Sequence, residues 1–203
     1  GLTGNTVLHY HVLLRKALEE AKLRRLIADN PTDHILRPQK EPAVSDCYSP
    51  EECRKLLGVL RGDPMELPIT IAVLYGLRRS EVLGLRWGAV DFERGNITIS
   101  HSVTVASIDG HRQRIAQDKV KRKSSFRTLP LMPQVEALLR ETVIQRYAFQ
   151  EPPAEEYICV CENGCPLMPD DLSLRFQRIL AKNQLRRIRF HDLRHSCANL
   201  LIS

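Results

Sequence analysis

The stretch that most constrains the fold is an apolar run, Leu67 to Leu77, followed at once by Arg78 and Arg79. Gly76 lies inside the end of this run, and a second short apolar helical pattern resumes from Glu81 to Trp87. The run predicts a buried helix over 66–77. Guanidinium groups at the end of a buried run are costly unless they find anions, and their planar fork suits a phosphate. A surface helix with solvated arginines fits the stretch equally well.

The basic residues are clustered, although the total excess of 30 Lys+Arg over 24 Asp+Glu is modest. Residues 112–127 hold seven basic side chains against one acid, and residues 182–194 hold five against one. Two such clusters favour a nucleic-acid surface, with solvated basic faces as the alternative. No apolar run approaches the ~20 residues of a membrane span, and no signal-peptide pattern opens the chain. We therefore expect a cytoplasmic protein that binds nucleic acid and not membranes.

The six cysteines do not predict a disulfide scaffold in a chain of 203 residues. Cys159, Cys161 and Cys165 have a spacing that differs from that of standard zinc knuckles, and no second ligand pair follows them. We expect reduced thiols.

Helical periodicity and capping signals predict an α+β fold that is mainly helical. Helices are predicted at 6–28, 49–60, 66–77, from Ser80, 132–149, 169–182 and from 189 to the end. The strands 96–105, 112–120 and 126–131 are expected to form one small antiparallel sheet with a cationic loop at 121–125, and 157–161 a further short strand. The first helix has no partner in its own segment, which predicts two domains, 1–43 and 44–203.

A last motif is His191-x-x-Arg194. Residues three apart on a helix share one face, so the imidazole and the guanidinium would point at the same object. The alternative is a helix start at which His191 or Asp192 serves as a cap.

Three motifs in this order, Gly76-Leu77-Arg78-x-x-Glu81-x-x-Gly84-Leu85, the basic hairpin 119–130 and His191-Asp192-Leu193-Arg194-His195, are similar to those of one family. The chain resembles the catalytic domain of the tyrosine recombinases, the phage-integrase family, especially integrases of phages and integrative elements of Gram-positive bacteria. Residues 2–43 resemble the second half of that family's core-binding domain.

The resemblance implies a catalytic role for four residues. Arg78 and Arg194 would clamp the non-bridging oxygens of a DNA phosphate. Lys121 would be the general acid for the leaving 5′-oxygen, with Lys123 as a rival, and His191 would act as base or orient the nucleophile. Neither a metal ion nor another cofactor is implied.

The resemblance also implies supporting residues and partners. Glu81 would orient Arg78, and His195 would pack or support the site. The expected DNA contacts are Arg112, Arg114, Arg122, Lys123, Arg127 and Arg189. Duplex DNA and further copies of the chain, four on two sites, are the expected partners, and the resemblance implies a bacterial, nucleoid-associated protein. Arg79 and Arg86 are expected to be surface or structural residues.

The nucleophilic tyrosine of the family has no counterpart here. In the family it follows the His-x-x-Arg box, whereas the five tyrosines of this chain, at 10, 48, 75, 147 and 157, all precede that box. We therefore expect a fragment of a longer recombinase that is inactive alone.

Two other functions compete with this interpretation. A non-catalytic DNA-binding remnant would use the same basic surface, and a relative of the type IB topoisomerases would share the Arg, Lys and His chemistry but relax DNA without a partner site. An RNA-binding module is disfavoured because the sequence has few aromatic residues for a stacking platform.

Overall fold

The computed structural model describes residues 2–40, 46–118, 126–161 and 163–202. The chain divides into two compact units, Gly1–Val44 and Ser45–Ser203. The first contains helix α1 (Gly4–Leu23) and a 3-10 turn, Pro31–His34. The buried Asn30 amide donates to the Arg15 carbonyl at 3.2 Å and accepts from the Thr32 backbone N–H at 3.1 Å, which holds the turn against α1.

Helix α1 ends at Leu23, five residues before the predicted Ala28. Arg25 adopts a positive φ of 59°, and the Leu26 N–H donates to the Ala21 carbonyl at 2.9 Å. This is a left-handed helix stop, of the kind that usually uses glycine. Because an arginine occupies the position, the sequence carries no stop signal there.

The second unit is built on six helices of the described residues: α2 (Pro50–Val59), α3 (Glu66–Tyr75), α4 (Arg79–Val82), α5 (Pro133–Tyr147), α6 (Pro169–Lys182) and α7 (Leu193–Ile202). The capping box predicted for α2 is present: Ser49 Oγ accepts from the Glu52 N–H at 3.3 Å, and the Ser49 N–H donates to Glu52 Oε2 at 2.8 Å. Nearly all of α3 is buried. The bounds of α6 are those predicted.

The strands of the described residues form two antiparallel sheets and not the single sheet that was predicted. Strands β1 (Val90–Asp91), β2 (Asn96–Ile99) and β5 (Arg127–Pro130) form one sheet, in the order β1-β2-β5, while β3 (His101–Ile108) and β4 (His111–Asp118) form a hairpin. The predicted strand 96–105 changes partner at Ser100. Ile97 pairs with Leu129 before the break, and Val103 pairs with Ala116 after it.

Gly84 brings the end of α4 against the start of the hairpin. A Cβ at this position would lie 2.5 Å from the His101 carbonyl oxygen and 2.7 Å from the Ser102 Cα. Only a residue without a side chain permits this approach. The contact fixes the base of the hairpin beside the segment that carries Arg78.

The prediction of a strand at 157–161 was wrong. Among the described residues this segment makes isolated bridges, Arg86 with Tyr157 and Val160 with Pro166. A tight turn begins at Cys161, whose N–H donates to the Cys165 carbonyl at 2.7 Å, so the run is too short for a ladder.

The core lies between the helices and the β1-β2-β5 sheet, and the α+β class predicted from the sequence is confirmed. Its largest fully buried side chains include Tyr48, Leu56, Ile71, Leu139 and Phe176. In the part of the chain that the structure describes, each helix is too short or too polar to cross a membrane.

Candidate active site

Arg78 lies where α3 gives way to α4. Gly76 ends α3 in the left-handed region, at φ 59° and ψ 33°, and the buried Leu77 anchors the turn. Arg78 then opens α4 in an extended conformation. Its side chain is 53% exposed, so the guanidinium emerges from a buried framework into solvent.

Glu81 contacts both the backbone and the side chain of Arg78. Its carboxylate is fully buried, with 0% exposure. It accepts from the Arg78 backbone N–H at 2.9 Å and from Arg78 Nη1 at 3.1 Å. The two contacts fix both the backbone and the side chain of the arginine.

Arg194 lies against the same turn. Its Nη1 donates to the Gly76 carbonyl at 2.9 Å, two residues before Arg78. A Cβ on Gly76 would lie 3.3 Å from the Cys197 Cβ and 3.7 Å from the Arg194 Cγ, so α7 packs closely on the end of α3. The two arginines, 116 residues apart in the sequence, thus reach the same turn of the chain.

His191 and His195 lie side by side at the start of α7. Their ring centroids are 5.9 Å apart and the rings are nearly perpendicular. Both side chains are exposed. His191 belongs to the 3-10 turn Phe190–Asp192 that leads directly into α7, so it precedes Arg194 by three residues on a continuous helical segment.

A second Arg-x-x-acid pair fixes this turn. The buried Asp192 carboxylate accepts from the Arg189 backbone N–H at 2.9 Å and from its Nε and Nη2 at 3.0 and 2.8 Å. Burial raises the pKa of Asp192, but the hydrogen bonds from Arg189 outweigh that effect and keep the pKa below its ordinary value of 3.8. Arg189, expected at DNA, therefore supports the His191 turn, although its side chain remains 79% exposed.

The sequence profile described as the phage integrase family matches residues 48–203. The chain belongs to the phage integrase family. It is similar to a XerC-like tyrosine recombinase of Caldanaerobacter subterraneus, at 25% identity over 77% of this chain and 43% of that protein. The ICEBs1 integrase of Bacillus subtilis is 27% identical over 100% of this chain and 55% of the relative. The chain thus spans about half the length of these relatives.

Solved structures of integrases share the fold. The Tn1549 transposon integrase in complex with a circular intermediate DNA superposes with a TM-score of 0.80, at 23% identity over 100% of this chain and 68% of that one. A lambda integrase dimer bound to a core site gives a TM-score of 0.64, at 17% identity over 97% of this chain and 66% of that one.

Arg112 and Arg114, which were also expected at DNA, make contacts within the protein. Arg112 forms an ion pair with Asp170 at the start of α6. Arg114 stacks on Tyr157, with its guanidinium carbon 4.1 Å from the ring centroid, and burial lowers the pKa of Arg114. Both contacts hold the hairpin to the body of the second unit.

The predicted general acid and its neighbours lie outside the described residues. These are Lys121, its rival Lys123, and Arg122, which was predicted to contact DNA. The hairpin that leads to them is described as far as Asp118, and the chain resumes at Phe126.

Arg127 makes a contact within the protein that the sequence analysis did not predict. It was expected at DNA, but its Nη2 donates to Glu81 Oε2 at 2.9 Å and its Nη1 lies 3.5 Å from Oε1. The period of two along β5 was the available signal, because Arg127 and Leu129 share the half-buried face and Thr128 is exposed.

Arg79 and Arg86 make structural contacts, as anticipated. Arg79 Nη1 donates to Ser173 Oγ at 2.8 Å. Arg86 Nη1 donates to Glu155 Oε2 at 2.6 Å, and its guanidinium carbon lies 5.3 Å from the centre of the Tyr157 ring.

The tyrosines of the second unit are used in packing. The Tyr75 hydroxyl donates to the Pro130 carbonyl at 3.0 Å and accepts from the Met132 N–H at 2.8 Å, and Tyr147 accepts from Trp87 Nε1 at 3.0 Å. Burial raises the pKa of Tyr48 to about 12. The Tyr157 ring contacts the guanidiniums of Arg86 and Arg114. Each hydroxyl or ring thus has a structural role.

Proposed function

We propose that this chain is the phosphate-binding part of a site-specific DNA recombinase that cuts and rejoins duplex DNA through a 3′-phosphotyrosyl intermediate. The observation that carries the proposal is the hydrogen bond from Arg194 to the Gly76 carbonyl. It sets one guanidinium beside the turn that presents the other, on Arg78. Two guanidiniums presented at one turn of the chain can neutralise the charge that develops on the non-bridging oxygens of a phosphate during transfer.

The remaining roles follow from the chemistry of the transfer. A tyrosine oxygen attacks phosphorus, the bond to the 5′-oxygen breaks, and a proton must reach that oxygen as it leaves. Lys121 or Lys123 supplies this proton, and His191 accepts the proton of the attacking tyrosine or orients it. His195 packs beside His191 and supports it. We assign the nucleophile to a tyrosine that is not among these 203 residues.

The partners in this proposal are duplex DNA and further copies of the protein. Relatives with this fold were solved on DNA, among them a dimer of lambda integrase on a core site. Four protomers would hold two sites together for strand exchange. Residues 1–43 would contribute to binding of the duplex as part of a core-binding domain.

The salt dependence of DNA binding tests the central contact. The logarithm of the binding constant falls linearly with the logarithm of the salt concentration, with a slope of about −0.9 per phosphate neutralised. We expect Arg78→Ala and Arg194→Ala each to reduce the steepness of this slope by about one on a 30-base-pair duplex. The measurement is fluorescence anisotropy with the 203-residue chain, at several salt concentrations.

Arg54→Ala is the matched control. Arg54 lies on α2, is 71% exposed and pairs with the equally exposed Glu51. Its loss should leave the slope unchanged. If Arg78→Ala and Arg194→Ala behave like this control, the two arginines do not hold a phosphate, and the proposed function fails.

A further inference from the structure

The buried Glu81 carboxylate accepts hydrogen bonds from two arginines, Arg78 at the start of α4 and Arg127 at the start of β5. The Arg78 backbone N–H and Arg127 Nη2 both donate to Oε2, each at 2.9 Å. Oε1 accepts from Arg78 Nη1 at 3.1 Å and lies 3.5 Å from Arg127 Nη1. Arg127 thus spans both oxygens, whereas the side chain of Arg78 uses one.

We propose that Arg127 is a positioning residue, which occupies Glu81 so that part of the Arg78 guanidinium remains available to a DNA phosphate. The inference rests on the proposed function of Arg78. The guanidinium of Arg78 donates to Glu81 through Nη1, at one end of its fork, so Nε and Nη2 are the nitrogens left for another anion in this proposal. These other nitrogens are the donors that a phosphate would use.

The physical reason is competition for a buried charge. A fully buried carboxylate that loses a cationic partner is strongly destabilised. Arg78 also contacts this carboxylate, and its side chain is 53% exposed and can turn inward. Without Arg127, the Arg78 fork would close on both carboxylate oxygens, because that geometry is the strongest pairing available. Its donors would then face Glu81 and not the DNA.

The ion pair between Arg127 and Glu81 also connects two elements, because Arg127 lies at the start of β5. Arg127 is the first residue of β5 and follows the segment 119–125, which holds the predicted general acid, by two residues. It pairs with Ile99 in the sheet. One ion pair therefore ties the start of β5 to the carboxylate that holds Arg78.

A double-mutant cycle separates this role from direct DNA contact. We expect Arg127→Ala to weaken DNA binding about fivefold in the wild-type background, a typical coupling for residues of one network. In the Arg78→Ala background it should have no further effect. A direct phosphate contact would instead give the same loss, and the same change in salt slope, in both backgrounds.

Two further variants test the competition itself. Glu81→Gln removes the charge that draws Arg78 inward, so Arg127→Ala should lose its effect on DNA affinity in the Glu81→Gln background. Arg127→Lys keeps the positive charge but not the planar fork, and should give an intermediate loss. Circular dichroism at the assay temperature establishes that each variant is folded.

The outcomes distinguish this inference from the function on which it rests. If Arg78→Ala leaves the salt slope unchanged, the proposed function fails. If Arg78→Ala reduces the slope but the losses from Arg78→Ala and Arg127→Ala add, Arg127 binds DNA directly and the inference alone is overturned. A folded Arg127→Ala protein with unchanged DNA affinity and a lower urea midpoint would show a purely structural role, and would also overturn it.

Discussion

Replacing Glu81 by alanine should destabilise the second unit by about 3 kcal/mol. Loss of one partner from a buried ion pair costs about 3–5 kcal/mol when the remaining charge stays buried. Here the stranded side chains, Arg78 and Arg127, are 53% and 29% exposed, so water can solvate both in part and reduce that cost to about 2 kcal/mol. The lost acceptor for the Arg78 backbone N–H at the start of α4 adds about 1 kcal/mol.

Urea unfolding followed by circular dichroism measures this cost directly. A loss of 3 kcal/mol corresponds to a fall in melting temperature of roughly 6–12 °C for a unit of this size. Glu81→Gln keeps an acceptor for the Arg78 N–H and should lose less. Glu141→Ala, which removes an exposed carboxylate from α5, should stay within about 0.5 kcal/mol of the wild type. If Glu81→Ala were as mild as Glu141→Ala, the carboxylate would not be the anchor of the arginine pair.

Three other predictions concern the framework around the site. Gly84→Ala should destabilise the unit by about 1–3 kcal/mol in urea unfolding, because the new Cβ would lie 2.5 Å from the His101 carbonyl oxygen; wild-type stability would contradict this close approach. Asp192→Asn should lower the free energy of unfolding at pH 7. The difference from the wild type should shrink as the pH falls below 3.8, because the pKa of Asp192 is depressed in the folded protein and its stabilising contribution is therefore lost on protonation. A difference in the free energy of unfolding that does not depend on pH would contradict this prediction. The exposed Cys165 should react with iodoacetamide in the native protein, whereas Cys159, whose pKa burial raises to about 12, should react only after unfolding; peptide mapping by mass spectrometry would reveal the opposite order if it occurred.

The parts of the fold that local signals encode were predicted well. The capping box at Ser49 satisfies backbone groups within four residues, and α6 carries its own start, Pro169, and its own apolar stripe. Glu81 was expected beside Arg78 from the family resemblance, and the two residues, three apart at the start of α4, are in contact. Each of these features depends on neighbours in the sequence.

The features that depend on distant partners were not predictable in the same way. Strand 96–105 reads as continuous, and its change of partner at Ser100 follows from the pairing of Ile97 with Leu129 on one side and Val103 with Ala116 on the other. The segment after Glu156 looks like a strand, but its backbone pairs with Leu85, whose carbonyl accepts from the Ile158 N–H at 3.0 Å. Pairing of this kind is decided by tertiary packing.

In the candidate site, too, local motifs could be recognised from the sequence, whereas contacts between distant residues could not. The sequence identified Arg78, His191 and Arg194 by their motifs, and the structure describes all three. It also placed Arg127, a member of the basic cluster 112–127, among the DNA contacts. The ion pair of Arg127 with the buried Glu81 depends on tertiary packing, so the sequence did not predict it.

A crystal soaked with tungstate, a tetrahedral dianion that resembles phosphate, tests the central claim most directly. The anomalous signal of tungsten locates the anion without ambiguity. We expect a single strong site whose oxygens lie about 2.7–2.9 Å from guanidinium nitrogens of both Arg78 and Arg194. Tungstate bound by only one of these arginines, or bound elsewhere with neither arginine in contact with it, would contradict the claim that Arg78 and Arg194 bind one phosphate together.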